Sequence, residues 1–254
     1  MASVVLEQAS LTFQVTPDGP VRWRDLAADR LRRNGASRIQ SVQALRAVDL
    51  RLSDGDRLGI VGHNGAGKST LLKVLADIYP LTAGTRHVAG RVSALFDIAL
   101  GFEQDATGWE NIAYRGYLQG QSRRSVRRQR DAVAEFSELG RYLELPVRYY
   151  SDGMRVRLAF SIATAIEPDV LLVDEAFNAG DFAFRMKARG RLNDVMRKAR
   201  IVVAVSHELD VLRQMCDLIL WLDQGQVRAF GKAEDVMCEY QQFAETRRPG
   251  AAVA

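Results

Sequence analysis

The sequence has few cysteines, few prolines and no long hydrophobic run. Its 254 residues include 2 cysteines and 6 prolines. Two cysteines cannot build a disulfide framework, which excludes the disulfide-rich secreted class. The longest apolar stretches, such as 169–173 and 218–222, are much shorter than the about 20 residues that a membrane helix needs. Residues 1–7 also lack the basic head and apolar run of a signal peptide. These absences favour a cytoplasmic globular protein.

An excess of one charge sign is also missing. The formal net charge is +4 and the sequence pI is about 9.2, but acids and bases are interspersed, so no nucleic-acid partner is expected. One basic run stands out, formed by Arg123, Arg124, Arg127, Arg128 and Arg130. Two interpretations of this run are open. It is either a solvated helix face or a surface that attracts anionic lipid headgroups or a pyrophosphate group.

The chain has enough apolar residues, 47%, to bury the core of one globular domain. Its N-terminal part is rich in β-strand patterns, at residues 4–14, 48–52 and 57–61. The first two of these strands flank an insertion, 16–43, in which residues 23–33 predict a short amphipathic helix. These patterns predict an N-terminal β layer.

The rest of the chain alternates between strands and helices. The sequence predicts a helix through Ala76, a short strand near 91–96, a helical lobe over 109–145, apolar strands at 170–173 and 201–205, and a hairpin formed by 218–222 and 226–230. Buried strands that alternate with helices indicate a mainly parallel sheet. The predicted domain covers residues 1–243, with a helical subdomain at about 100–162, and residues 244–254 predict a disordered tail.

One glycine-rich segment has the spacing of a phosphate-binding loop. It consists of Gly62, His63, Asn64, Gly65, Ala66, Gly67, Lys68, Ser69 and Thr70. The glycines permit a tight backbone path, and the following helix points its positive dipole end at the anion. Lys68 is expected to neutralise phosphate oxygens and Ser69 to ligate Mg²⁺. His63 occupies a variable position where its backbone matters more than its imidazole. The segment predicts binding of ATP with Mg²⁺.

Two further strands end in polar residues that can act on a bound nucleotide. Asp174 and Glu175 follow the strand 170–173. Asp174 is expected to hold Mg²⁺ through its water shell, and Glu175 to deprotonate the attacking water. His207 follows the strand 201–205 and suits a contact with the γ-phosphate. The alternative for Ser206 and His207 is a capping pair at a strand end.

Residues 150–154, Tyr-Ser-Asp-Gly-Met, resemble the signature of ABC ATPases, usually written Leu-Ser-Gly-Gly-Gln. The resemblance implies an α/β fold: a P-loop NTPase core of ABC ATPase type with an antiparallel β layer and an inserted helical subdomain. It also implies a head-to-tail homodimer, in which the signature residues Ser151, Asp152, Gly153 and Met154 of one chain meet the nucleotide of the other. Physically, the Ser151 hydroxyl, the Gly153 amide and a helix starting at Met154 would form an anion clamp.

Within ABC proteins the chain is most similar to ATPase subunits of polysaccharide exporters. This resemblance is carried by the Tyr-Ser-x-Gly-Met signature and by residues 95–102, 107–112 and 174–181, where Asp181 is the acid of a dimer-contacting loop. It implies an ATPase on the cytoplasmic face of the membrane that powers the export of a polysaccharide or lipid-linked glycan. Two copies of an integral membrane channel subunit would be its partners. Because the sequence ends soon after Tyr240, direct binding of the glycan is not expected.

Three positions depart from the common pattern or have two interpretations. Asp97 stands where most ABC ATPases have a glutamine, and it is either a metal-side substitute or a solvent-exposed acid. Asp152 places a carboxylate near the γ-phosphate, which is repulsive unless it points away or pairs with Arg155. Phe13 either stacks on adenine or belongs to the core. The alternative functions are the ATPase of another ABC transporter and a soluble ABC ATPase that acts on nucleic acid or ribosomes.

Overall fold

The computed structural model describes residues 1–15, 40–96, 101–174, 182–206 and 208–246. Several predicted features lie outside these residues: the 16–39 part of the insertion with its helix, Asp97, Glu175, Asp181, His207 and the chain after 246. Their roles therefore stay predictions.

The described residues form strands and helices along the whole chain. The strands are β1 (Ser3–Val15), β2 (Gln40–Ser53), β3 (Arg57–Val61), β4 (Ala83–Ala89), β5 (Val92–Leu95), β6 (Val170–Val173), β7 (Ile201–Val205), β8 (Leu218–Asp223) and β9 (Gln226–Lys232). The helices are α1 (Lys68–Leu75), α2 (Gly108–Leu118), α3 (Arg123–Ser137), α4 (Asp152–Ala163), α5 (Phe182–Lys198), α6 (Leu209–Met215) and α7 (Ala233–Thr246). Short 3-10 turns at Gly140–Glu144 and Val147–Tyr149 join α3 to α4.

Within these residues the strands form two sheets. An antiparallel sheet has the order β2-β1-β4, and a second sheet has the order β5-β6-β7-β3-β8-β9. All pairings in the second sheet are parallel except that of β9 with β8. The predicted α/β class with an N-terminal antiparallel layer is confirmed.

Three element boundaries differ from the sequence prediction. Strand β4 was predicted only as a break around Gly84, because its residues are polar and mostly exposed and carry no apolar alternation. Residues 40–43, assigned to the insertion, belong to β2. Residues 244–246, assigned to the disordered tail, continue α7 to Thr246.

The parallel strands place alternate side chains in two separate cores. In β6, Leu171 and Val173 join a core with α4 and α5, whereas Val170 and Leu172 join a core with α1 and the antiparallel sheet. Both sets are buried because successive side chains on a strand point to opposite faces. The apolar side of α1, Leu71 to Leu75, is thereby enclosed between the two sheets.

The helical lobe α2–α4 lies between β5 and β6 in the chain. Helix α2 begins with a capping box, in which Thr107 and Glu110 each bond to the backbone amide of the other. Asn111 is 1% exposed. Its side chain accepts a bond from the Glu103 amide and donates to the carbonyl oxygens of Glu103 and Ala106. A buried amide that satisfies several backbone groups fixes the segment that leads into α2.

Candidate functional site

The loop between β3 and α1 has a backbone that only glycine adopts easily. Gly65 and Gly67 have φ of 82° and 106°, in the left-handed region that side chains disfavour. A Cβ atom on Gly67 would lie 2.8 Å from the carbonyl oxygen of Ala44. At Gly62 it would lie 2.3 Å from the carbonyl oxygen of Leu222. The glycines therefore let the loop curl tightly against neighbouring strands.

Helix α1 presents its N-terminus to the loop. Its N-cap residue, Gly67, provides no side-chain cap, and the first turn contains no acid. The first amide groups of an α-helix have no partner within the helix, and the dipole gives this end a partial positive charge. Lys68, Ser69 and Thr70 make up this first turn and line the cavity described below. A phosphate group is the anion that such an end accepts.

Lys68 adds a full positive charge at this position although its residue is only 8% exposed. Its Nζ donates hydrogen bonds of 2.7 Å to the carbonyl oxygen of Gly62 and 3.1 Å to that of His63. The ammonium group thus lies across the loop and also fastens its two ends. Phosphate oxygens are stronger acceptors than these carbonyls because they are charged.

The loop opens into a cavity of about 550 Å³, within the size range of small-molecule sites. Its lining comes from separate parts of the chain: Val42, Gln43, Ala44 and Arg46 of β2, Asn64, Gly65 and Gly67 to Thr70 of the loop, Asp174 and Val205 at the ends of β6 and β7, and Gln224 and Gly225 of the β8–β9 turn. The carboxyl ends of β3, β6 and β7 meet here because these strands are parallel neighbours.

The Ser69 hydroxyl and the Asp174 carboxylate line the same cavity. They come from different elements, the first turn of α1 and the end of β6. Magnesium prefers oxygen ligands and is commonly held by one or two protein groups together with substrate phosphates. This donor set fits a magnesium ion bound with a nucleotide.

The β8–β9 turn forms part of the site, which sequence analysis missed. The Gly225 amide donates to the Ala66 carbonyl oxygen at 2.9 Å, and the Arg46 amide donates to the Gly225 carbonyl oxygen at 2.8 Å. A Cβ atom on Gly225 would lie 2.6 Å from the Ala44 carbonyl oxygen. The turn itself was visible in the sequence, but nothing local indicates that it packs on the phosphate loop.

The His63 side chain links the loop to the same hairpin. Its Nε2 lies 3.1 Å from Asp223 Oδ1, and its Nδ1 lies 2.7 Å from the Asn64 carbonyl oxygen. Arg228 Nη1 lies 3.4 Å from the other oxygen of Asp223. Arg228 in turn stacks over the ring of Phe243 on α7. The imidazole therefore anchors the loop from outside the cavity.

Phe13 lies against the core. Its ring packs edge-to-face with Tyr79 at a centroid distance of 5.3 Å. It is not among the residues that line the cavity, whereas its partner across the sheet, Val42, is. The described geometry favours the core interpretation of Phe13, and the adenine-stacking role stays a prediction.

Ser151 caps α4. Its Oγ accepts a bond of 3.2 Å from the Met154 amide, so the helix begins at Asp152 and not at Met154 as predicted. Serine is a favoured N-cap because it satisfies an amide that the helix leaves open. The Asp152 side chain is 97% exposed and pairs with Arg155 at 3.3 Å, the arrangement that was expected to relieve its repulsion of phosphate.

Gly153 is unusual among the glycines of the site. A Cβ atom added there would meet only Ser151 Oγ, at 3.9 Å, and the residue lies in helical conformation. Glycine in a helix costs stability relative to alanine. The described part of this chain therefore gives no structural reason for glycine, which points to a close approach by something outside the chain.

Tyr150 joins the signature to the helical lobe. Its hydroxyl donates to the Tyr142 carbonyl oxygen at 2.7 Å, and burial raises its pKa to about 12. A Cβ atom on Gly108 would lie 2.4 Å from this hydroxyl oxygen. The tyrosine and the glycine of the two sequence motifs thus fit one contact.

The signature and the cavity are separate in one chain. Among the described residues that line the cavity, none comes from 150–154. The single chain therefore brings together the phosphate loop and Asp174, and leaves the signature elsewhere.

Comparison with known proteins gives consistent matches. Residues 45–178 match the family described as ABC transporter. An O-antigen export system ATP-binding protein of Myxococcus xanthus is 43% identical over 201 residues, which is 79% of this chain and 46% of that protein. The corresponding protein of Yersinia enterocolitica is 41% identical over 77% of this chain and 82% of its own length. A teichoic acids export ATP-binding protein of Listeria innocua is 34% identical over 83% of this chain and 62% of its own length. The chain thus spans about half of the Myxococcus relative.

Solved structures match over nearly the whole chain. The ATP-binding cassette MJ0796, solved as a dimer in a post-hydrolysis state with ADP and phosphate, has a TM-score of 0.66 and 21% identity, and covers 91% of this chain and 98% of its own. An ATP-binding subunit of an ABC transporter has a TM-score of 0.68 and 20% identity, over 94% and 93%. At these identities the likeness shows the fold.

Proposed function

This chain belongs to the ABC transporter family and is an ABC ATPase, and from that premise we propose that it is the energy-coupling subunit of a polysaccharide exporter. The observation that carries the proposal is the cavity that gathers Lys68, Ser69 and Asp174 at one end of the parallel sheet. The export of O-antigen and teichoic acids named for the relatives supports a polysaccharide or lipid-linked glycan as the cargo.

The described residues suit binding and orientation of the nucleotide. The amides at the start of α1 and the ammonium group of Lys68 surround the position of the phosphates. Ser69 and Asp174 would hold magnesium, which offsets phosphate charge when it is bound with the nucleotide. Because the donors are fixed by the fold before the nucleotide arrives, little reorganisation is needed on binding. Glu175 as general base and His207 as γ-phosphate contact complete the proposed hydrolytic site.

We also propose that two chains form a head-to-tail dimer. The cavity of one chain lacks the signature within its described lining, and Gly153 leaves open space at the start of α4. A second copy could bring its own Ser151 cap and Gly153 amide to the nucleotide. Each chain would then supply one half of two equal sites.

The contact with the membrane subunits is proposed at a groove beside α2. The groove has a volume of about 600 Å³ and is lined by Gly101, Phe102, Glu103, Asn111, Tyr114 and Leu118. Leu118 is 83% exposed, and exposed apolar side chains around a concave surface are typical of interaction sites. The buried Asn111 amide holds one wall of the groove in place. A helical segment of a channel subunit would fill it.

The location of the protein follows from these partners. No helix in the described ranges is long and apolar enough to cross a bilayer. We propose that the chain is held at the cytoplasmic face of the membrane by two copies of the channel subunit.

Neutralising Asp152 is expected to increase ATP turnover. In the dimer its carboxylate would lie near the γ-phosphate, and removing one like charge there raises the rate of Asp152→Asn by about threefold to tenfold. The measurement is steady-state ATP hydrolysis at low salt with saturating magnesium. Asp131→Asn on α3 is the matched control and should leave the rate unchanged. A rate for Asp152→Asn equal to or below that of the unaltered chain would contradict this electrostatic role.

The proposed function is tested by purifying the chain with its candidate channel subunit. The complex should hydrolyse ATP only with magnesium, and cells that produce Glu175→Gln should lose the surface glycan while the complex still assembles. Assembly followed by export of a different cargo class would place the chain in another ABC transporter. Salt-sensitive binding to RNA or DNA without any membrane subunit would instead favour a soluble ABC ATPase.

A further inference from the structure

Helix α3 carries an unusual charge distribution. Its first two turns contain Arg123, Arg124, Arg127 and Arg128, all exposed, and its first turn contains no acid. Positive side chains at a helix N-terminus oppose the helix dipole, so this placement does not stabilise the helix. The acids of α3, Asp131 and Glu135, lie in its second half. The arginines therefore need an explanation other than helix stability.

The other side of α3 fixes the direction of this arginine face. Val126, Val133 and Ser137 are buried, and the Arg130 guanidinium stacks over the Trp109 ring of α2 at 4.2 Å. Across the described chain, no ion pair is found for the four arginines of the first two turns. Their charges are held together on one outer face and are not neutralised by the fold.

Exposed apolar side chains lie directly beside the arginines. Helix α2 ends with Tyr117 and Leu118, both exposed, and only residues 119–122 separate this end from α3. Arginine next to tyrosine and leucine is the combination found where a protein surface meets a bilayer, with cations at the headgroups and rings at the interface. Nucleic acid or an acidic protein would need the arginines but not the exposed Leu118.

We propose that the α2–α3 corner and the arginine face of α3 bind the surface of an anionic phospholipid bilayer. The proposal rests on the proposed function only in that the channel subunits bring the chain to a membrane. Charge complementarity supplies the attraction, and Tyr117 enters the headgroup layer. The groove that would receive the channel subunit lies on the same helix, through Tyr114 and Leu118. Both contacts can therefore form on one side of the molecule.

The test uses the full chain, purified without channel subunits, and measures sedimentation with two kinds of vesicle. The chain should bind vesicles of equal parts phosphatidylglycerol and phosphatidylcholine, and not vesicles of phosphatidylcholine alone. Each neutralised arginine weakens binding about fivefold, so Arg124→Gln with Arg128→Gln should weaken it at least about tenfold. The matched control is Arg185→Gln with Arg189→Gln, which removes two exposed arginines at the same spacing on α5 and should leave binding unchanged.

Two further readouts separate lipid from other anions and from the ATPase itself. Tyr117→Ser should weaken vesicle binding but not binding to DNA. Equal binding to both vesicle types, equal losses in both arginine pairs, or DNA binding as tight as vesicle binding would overturn the proposal. Magnesium-dependent ATP hydrolysis should be the same in all these variants, so failure of the nucleotide site would appear separately from failure of lipid binding.

Discussion

Replacement of Lys68 by alanine is expected to abolish ATP hydrolysis and to weaken ATP binding strongly. The ammonium group fastens Gly62 and His63 and lies where the phosphates bind. Losing a positioned positive charge at a developing phosphate charge lowers the rate by about a hundredfold or more. Losing a charge-assisted hydrogen bond weakens binding by at least about tenfold. Hydrolysis is followed by phosphate release, and binding by titration calorimetry with ATP and magnesium.

The control for Lys68→Ala is Lys73→Ala on the same helix. Lys73 lies one turn further along α1, over the Tyr79 ring, and does not line the cavity. It should retain normal binding and hydrolysis. Thermal unfolding without nucleotide shows whether either variant is misfolded. Normal hydrolysis by folded Lys68→Ala would place the nucleotide somewhere other than this loop.

Restored activity from two inactive variants is the second large effect expected. Gly153→Asp should fold normally, because the described chain leaves open space at that position, and an acid is favourable in the first turn of a helix. It should nevertheless lose hydrolysis, because the added side chain and charge face the nucleotide of the partner. Lys68→Ala is inactive for the different reason given above.

Mixing the two variants tests whether the site is shared between chains. In a mixed dimer, the loop of the Gly153→Asp chain faces the intact signature of the Lys68→Ala chain, so one complete site forms. With random pairing, half of the dimers are mixed, and hydrolysis returns to about a quarter of the unaltered rate. A site contained within one chain predicts no recovery. Each variant alone, at the same total concentration, is the control.

The sequence was sufficient for the parts of the site whose signals are local. The phosphate loop, the apolar strands before it and before Asp174, and the hairpin at Asp223 to Gly225 each have their pattern within a few neighbouring residues. Parallel strands buried on both faces read as apolar runs, so β6 and β7 were found. Because parallel strands align their carboxyl ends, the grouping of Lys68, Ser69 and Asp174 followed from these elements.

The features that were missed depend on distant parts of the chain. Strand β4 is polar and pairs with β1 only through the backbone, so no side-chain pattern reveals it. The contact of Gly225 with the phosphate loop joins residues far apart in sequence, and Phe13 lies against Tyr79 for the same kind of reason. The start of α4 was different, because Ser151 followed by Asp152 is a local capping signal that could have placed it.

The enclosure of α1 between two sheets ties nucleotide affinity to completion of the fold. The loop takes its shape only when β2, the β8–β9 turn and both cores are assembled around it. A ligand that binds only the native state stabilises it by mass action. Cellular ATP therefore acts as a folding ligand for this chain, and a partly assembled chain gains nothing from it. Variants that loosen either sheet should lose abundance in the cell more steeply when ATP is depleted.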